Sequence, residues 1–185
     1  MLAAAGVLAS GALAVADTDP PVPAATSVTR RVVVSIPDRT LVLFVNDLVV
    51  SVYPVAVGKE KTPSPVGTFT IVNRVANPTY YKPGKIVRPG AANPVGTRWL
   101  GLNIKGYGIH GTDAPRSIGH ARSQGCIRLR NRDVEQLFEQ LRPGDVVELL
   151  AETTAELADA LSQRRPGTNA APAARAADRI AEPGA

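Results

Sequence analysis

The chain has 185 residues, with one cysteine, two histidines, one tryptophan and a net charge of +5. A single cysteine excludes an intramolecular disulfide and a Cys-rich zinc site, and this length accommodates one ordinary domain with appendages or, barely, two small ones. At 44% hydrophobic and 20% charged residues, the chain is too apolar to be disordered throughout.

Residues 1–16 are apolar and end in Ala14-Val15-Ala16 before Asp17. They fall just short of the roughly 18–20 residues that span a bilayer comfortably and read as a signal-peptide-like segment with a small-residue cleavage site. The usual Lys or Arg near the start is missing, and a frayed apolar N-terminus is the alternative. Export to a periplasm or cell wall is the expectation, with membrane attachment only if the segment is retained. Residues 17–29, with Pro20, Pro21 and Pro23, form a Pro-rich linker.

All eight aromatic residues lie between Phe44 and Phe138, which puts the packed domain at residues 30–150. Val32–Ile36, Leu41–Val45 and Leu48–Val57 are rich in β-branched residues and are predicted strands, with Asn46-Asp47 as a two-residue hairpin turn. Phe69–Val75 is the next strand. Residues 76–97, punctuated by four prolines and three glycines, read as a long loop of the kind that is more often functional than idle. Trp99–Ile104, Gly108–His110 and Ile127–Leu129 are short strands. Asn131 is placed to cap a helix whose apolar Val134, Leu137, Phe138 and Leu141 follow helical spacing, and Val146–Leu150 returns as a strand. The fold class is therefore mostly β, a β-sandwich or open barrel with one core helix. Residues 151–185 make an Ala/Arg/Pro-rich tail. Thr153 and Glu156 have capping-box spacing for a short helix over 154–164, and disorder is expected from there to Ala185.

The charge is unevenly distributed: residues 30–150 carry +8, residues 1–29 carry −2 and residues 151–185 carry −1. A basic fold suits an anionic partner. Nucleic acid is one candidate, but no recognition motif or basic helix accompanies the charge, and an exported chain meets anionic envelope polymer first.

The stretch that carries chemistry is Gly108-Ile109-His110-Gly111-Thr112 followed by Ser123-Gln124-Gly125-Cys126-Ile127-Arg128. A thiol acts as a nucleophile once deprotonated, and His110 can serve as its base if the fold brings the two within about 3 Å. Gly125 permits a sharp turn that presents amide donors toward a developing oxyanion. Arg122, Arg128, Arg130 and Arg132 flank the thiol, favouring its ionised form and attracting carboxylates. The bland alternatives are a small buried cysteine and a satisfied polar histidine. A metal site from His110, His120 and Cys126 lacks compact ligand spacing.

This pattern resembles the catalytic motif of the L,D-transpeptidases, the YkuD-like family: His-Gly, a gap, then Ser/Thr-His-Gly-Cys, an apolar residue and Arg or Asn. The resemblance extends over residues 30–150, through Tyr53-Pro54-Val55-Ala56-Val57-Gly58, Thr62 to Phe69, Asn93-Pro94-Val95-Gly96, Trp99-Leu100-Gly101-Leu102, Asn131-x-Asp133 and Pro143 to Val147. It implies a β sandwich or barrel, a cysteine nucleophile, and neither metal nor cofactor. Carried over, Cys126 attacks the carbonyl between the third and fourth residues of a peptidoglycan stem tetrapeptide. His110 takes the thiol proton, steadied by the Gly111 carbonyl. D-Alanine leaves, and an amine of a neighbouring stem resolves the thioester. The backbone amides of Gln124, Gly125 and Cys126 are the expected oxyanion donors. Ser123 and Arg128 complete the substrate-binding set, Arg128 binding a stem carboxylate or bracing the loop.

Gln124 stands where the family usually has His, and glutamine cannot titrate near neutral pH. The expected role is peptidoglycan biosynthesis and cell wall organisation, with stem peptides or an envelope protein as acyl acceptor and no nucleic acid as partner. An L,D-carboxypeptidase using water as acceptor and a non-catalytic peptidoglycan-binding module are the competing readings.

Overall fold

The computed structural model describes residues 28–162. The signal-peptide-like segment, nearly all of the linker and the expected disordered tail lie outside the described residues.

The described chain is mostly β with two helices, and its main sheet is curled into a half-barrel. Strands β1 (Arg30–Ser35), β2 (Thr40–Val45) and β3 (Leu48–Pro54) form an antiparallel meander. Asn46 and Asp47 both take positive φ, 50° and 60°, as a two-residue turn between right-twisted strands requires. The single strand expected over 48–57 is instead two. It breaks after Pro54, which has no N–H, and resumes as β4 (Val57–Gly58) beside a different partner.

Strand β5 (Gly67–Ala76) is the pivot of the sheet. The stretch 67–70 pairs with β12 (Val146–Leu150) and the stretch 71–76 pairs with β8 (Arg98–Leu102), with a register irregularity between Ile71 and Asn73. One strand thereby joins two half-sheets and sets the curl. The full order is β11-β9-β8-β5-β12-β1-β2-β3, with β9 at Gly108–His110 and β11 at Ile127–Arg128. Of the two alternatives read from the sequence, the open barrel is the one found.

Residues 76–97 are less irregular than expected. They hold a hairpin of β6 (Tyr80–Lys82) and β7 (Lys85–Val87) that turns at Pro83-Gly84. Its base is pinned by buried Asn93, whose Nδ2 donates to Pro78 O at 2.7 Å while its Oδ1 accepts from Val95 N. Strand β10 (Ala121–Ser123), which pairs with β4, also escaped the sequence reading because three polar or small residues give no strand signal.

Alternation along β1 and β2 builds two cores. Val32, Val34, Leu41 and Leu43 face the concave side, where helix α1 (Asn131–Gln140) inserts Val134 and Leu137. Val33, Val42 and Phe44 face the convex side and are covered by Leu157 and Ala160 of helix α2 (Ala155–Ser162). The helix assigned to the tail is thus a packed layer over the sheet. Arg31 ties it down by pairing with Glu156 while lying 4.5 Å from the Phe44 ring centroid. Its N-terminal cap is Thr154, whose Oγ1 accepts from Leu157 N, and not the expected Thr153, which bonds Asp38.

Candidate active site

Three short strands at one end of the curled sheet carry the residues that the sequence singled out. β8 pairs antiparallel with β9 so that Trp99 lies opposite His110, and β11 runs parallel to β9 so that Arg128 lies beside His110. Cys126 immediately precedes β11. Reciprocal backbone bonds of 2.9 Å between Ala56 and Arg128, and one from Leu129 N to His110 O, lock this register.

His110 is 4% exposed. Its Nδ1 lies 2.6 Å from Gly111 O, and since a carbonyl only accepts, Nδ1 carries the proton. Nε2 is then left with a free lone pair. Burial lowers the His110 pKa to about 4, the Gly111 carbonyl opposes that shift and the Arg128 charge adds to it. At neutral pH the ring is an uncharged base. Trp99 stacks on it with centroids 5.6 Å apart at 22° and also lies across Gly108, where a Cβ would come within 2.7 Å of the indole.

The loop after His110 is fixed from α1. Asn131 does not cap that helix through its side chain; its Oδ1 instead accepts from Thr112 N at 3.0 Å and Thr97 N at 3.4 Å. The competing bond won because Gly96 (φ +63°) and Gly111 let two backbones close on the amide, and a Cβ at either would collide with Asn131 Oδ1. Gly111 therefore supplies both the carbonyl that orients His110 and the space for the brace.

Cys126 is half-buried. Burial pushes its thiol pKa up, while a Gly108 backbone hydrogen bond and Arg128 pull it down. The thiol donates to Gly106 O at 3.5 Å and among the described residues makes no hydrogen bond to His110. The close contact expected from the sequence is thus not formed in the resting site: both partners are neutral, and the thiol is turned to the 103–107 loop. Such contacts commonly tighten only when substrate binds.

Gly125 has φ +108°, a conformation suited to glycine, and a Cβ there would meet Tyr107 Cε1 at 2.6 Å. Its amide is not free. Gly125 N–H donates to Ser123 Oγ at 3.0 Å, and that buried hydroxyl donates onward to Cys126 O at 2.6 Å. Ser123 therefore shapes the loop from within. Of the three amides expected as oxyanion donors, that of Gly125 is taken up by Ser123, and among the described residues those of Gln124 and Cys126 have no acceptor. Gln124 is exposed and borders the cavity.

The flanking arginines separate. Arg128 lines the site, whereas Arg130 and Arg132 turn to buried Asp133 at 3.7 and 3.1 Å, and Arg122 is exposed. His120 is exposed too, and among the described residues no cluster of three or more His, Cys, Asp or Glu could hold a metal ion. The chemistry-bearing residues open onto a cavity of about 1090 Å³ that includes His110, Gln124, Cys126 and Arg128 and is bordered by Tyr80, Tyr81 and Trp99. Sequence reasoning did not assign these three aromatics to the site. The available signals were a Tyr-Tyr-Lys-Pro-Gly-Lys hairpin pattern and a lone tryptophan on the strand paired to His110.

A model of the L,D-transpeptidase catalytic domain (YkuD) matches residues 29–149. A Bacillus licheniformis protein named as an L,D-transpeptidase, YkuD, is 48% identical over 107 residues, covering 58% of this chain and 57% of that protein. Its Bacillus subtilis counterpart is 42% identical over 118 residues, covering 64% of each. The chain thus spans roughly three-fifths of the length of these curated relatives. Among solved structures, an L,D-transpeptidase from Mycobacterium tuberculosis H37Rv shares the fold with a TM-score of 0.58 at 21% identity, over 66% of this chain and 58% of that one.

Proposed function

Because the chain belongs to the YkuD family of L,D-transpeptidase catalytic domains, we propose that it forms a thioester between Cys126 and a peptidoglycan stem tetrapeptide and passes the acyl group to an amine of a neighbouring stem. The observation that carries this reading is the histidine: buried, neutral, with Nδ1 committed to Gly111 O and a free Nε2, in the same cavity as the only thiol. A base with those properties suits a neutral thiol, since it can accept the proton as sulfur attacks and return it to the leaving amine.

On this reading substrate entry turns Cys126 from Gly106 O toward His110. Sγ adds to the carbonyl, and the Gln124 and Cys126 amides receive the developing oxyanion. The C–N bond then breaks, D-alanine departs with the proton from His110, and the acceptor amine takes the acyl group. The +8 charge of residues 30–150 suits an anionic wall polymer, and we place the protein outside the cytoplasmic membrane.

Intact mass after incubation with a stem tetrapeptide tests the reaction. The expected product is a species heavier by the tetrapeptide less D-alanine, absent in Cys126→Ala and formed at least about a hundredfold more slowly in His110→Ala. No adduct on well-folded wild type overturns the enzymatic reading. Cross-linked dimers as final product support stem transfer, and shortened monomers alone replace it with hydrolysis.

A further inference from the structure

Trp99, His110 and Arg128 form a row across β8, β9 and β11, with the indole on one flank of the imidazole and the guanidinium on the other. All three face the catalytic cavity. The row sets a problem for proton transfer. His110 must carry a positive charge for as long as it holds the thiol proton, yet burial and the neighbouring Arg128 charge both disfavour that charge. The Gly111 carbonyl favours it from one edge of the ring, at Nδ1. Against the face of the ring lies Trp99.

The indole is held in that place by more than apolar packing. Its centroid is 5.6 Å from that of the imidazole, with the two planes 22° apart. Its Nε1 donates to Asn73 Oδ1 of β5 at 3.1 Å. Two glycines keep the space open: a Cβ at Gly101 would come within 2.8 Å of the indole Nε1, and one at Gly108 within 2.7 Å of its six-membered ring. A cation stacked on an aromatic face is attracted by the ring quadrupole, most strongly by that of tryptophan, and a neutral imidazole is attracted far less. An acceptor on the indole N–H raises the electron density of the ring and deepens that attraction.

The other charged or titratable groups near β9 are engaged elsewhere. Arg98 of β8 lies over the Phe138 ring and bonds Thr97 O, and Asp133 of α1 is held by Arg130 and Arg132. Lys105 and Tyr107 border a second cavity, onto which Trp99 also opens. Cys126, Arg128, Tyr80 and Tyr81 complete the titratable groups that line the catalytic cavity with His110.

We propose, resting on the thioester reading above, that Trp99 is a positioning residue for proton transfer: its indole face, fixed by Asn73, stabilises the His110 imidazolium after Sγ has given up its proton and before the leaving amine has taken it. The proton passes from sulfur to Nε2 and on to the departing nitrogen. Trp99 acts through His110 and favours only the state in which the ring is charged.

Alkylation of Cys126, the only thiol, by iodoacetamide tests this without a stem peptide. At neutral pH the reactive thiolate forms by passing its proton to His110, and well above the thiol pKa it forms without that help. Trp99→Leu should therefore react about tenfold more slowly than wild type at neutral pH and at the wild-type rate on the alkaline plateau, with Trp99→Phe between the two at neutral pH. Asn73→Ala, which keeps the indole and removes its acceptor, should lose roughly two- to threefold at neutral pH alone. Equal slowing at both pH values, no slowing at either, or Trp99→Phe no better than Trp99→Leu assigns Trp99 to packing and overturns the proposal.

A second measurement needs no variant at the tryptophan. Trp99 is the only tryptophan, and a charged imidazole stacked on an indole quenches its emission. Emission should fall on acidification with a midpoint near 4, where His110 takes up its proton, and the step should vanish in His110→Gln. No step in wild type, or the same step in His110→Gln, means that the charged ring does not rest on the indole and overturns the proposal. The expected alkylation pattern with no acylation by stem tetrapeptide leaves the role of Trp99 standing and removes the proposed reaction. Acylation by the tetrapeptide with no difference among the Trp99 variants does the reverse.

Discussion

The two ends of the curled sheet are held together by different means. Around β1, β2 and β12 the strands alternate apolar side chains onto two cores, and both faces are covered, one by α1 and the other by α2. Around β8, β9 and β11 the strands are only two to five residues long. There the structure depends on single side chains bonded to backbone: Asn131 to Thr112 and Thr97, Ser123 to Gly125, Gly111 O to the His110 ring. Cohesion in the first region is spread over many interchangeable contacts. In the second it is concentrated in a few directional bonds that also set the chemistry. Damage to the first should cost stability without altering the reaction per folded molecule, and damage to the second should slow the reaction beyond what any lost stability explains.

The largest expected effect belongs to the apolar end. Leu157, 1% exposed, is the main plug between α2 and the convex face formed by Val33, Val42 and Phe44. Leu157→Ala should destabilise by about 2–5 kcal/mol, read by urea unfolding. Its acylation rate, scaled to the folded fraction, should equal wild type. A scaled rate well below wild type would mean that the convex layer reaches the site and would end the division drawn above.

Next comes pH, where the catalytic end contributes to stability through one group. The folded-state pKa of His110 is depressed to about 4 from an ordinary 6.5. Between those values the unfolded chain binds a proton that the folded chain refuses, so stability falls as pH drops from 6.5 toward 4. The difference amounts to roughly 3 kcal/mol across that window. His110→Gln should lack this share of the slope when unfolding is followed at several pH values. Asp38, whose pKa is lowered by hydrogen bonds from Ser35 and Thr153, behaves alike in both proteins and cancels. Equal slopes would mean that the imidazole takes up a proton in place. Acylation by wild type should show no loss centred near pH 6.5 and should climb on the alkaline side, where the Cys126 thiol ionises.

Legibility in the sequence follows the same division. β1, β2, β12 and α1 are visible because burial imposes a period on their residues, and β-branched runs or helical spacing report it. The hairpin of β6 and β7 was hidden among prolines and glycines that read as loop. β10 was hidden because its pairing is set by β4, a distant partner in sequence that aligns Ala121 with Val57. At the site, Cys126 and His110 were legible as a candidate pair, and the resemblance carried by the ordered pattern around them added Gly111 and Arg128. Directions of bonds were not readable. Asn131 and Ser123 each have several backbone partners within reach, and only the fold selects among them. The same holds for the flanking arginines, of which a buried Asp133 removes two.

Asn131 is the first of two matched tests. Asn131→Ala removes the acceptor of Thr112 N–H, and Thr112 is 3% exposed. An orphaned buried donor costs about 1–3 kcal/mol. The loop it frees carries Gly111 O, so the His110 ring loses its fixed orientation, and acylation should fall about tenfold beyond what the folded fraction explains. A loss of stability with the scaled rate unchanged would show that β9 alone positions the ring.

Thr154 supplies the counterpart with the smallest effect. Its Oγ1 also accepts from a backbone N–H, that of Leu157, at 3.3 Å, but at the exposed start of α2. In Thr154→Ala water can replace the lost acceptor, so the cost should be near the low end of helix capping, about 0.5–1 kcal/mol. Acylation should not change. The two variants remove the same kind of bond, a side-chain oxygen receiving a backbone amide, and differ in burial and in what the freed backbone carries. Acylation that fell equally in both would mean that the site responds to general loosening of the fold. A fall confined to Asn131→Ala, measured at matched unfolding free energy by adding urea to the Thr154 variant, assigns the catalytic geometry to the directional bonds around β9.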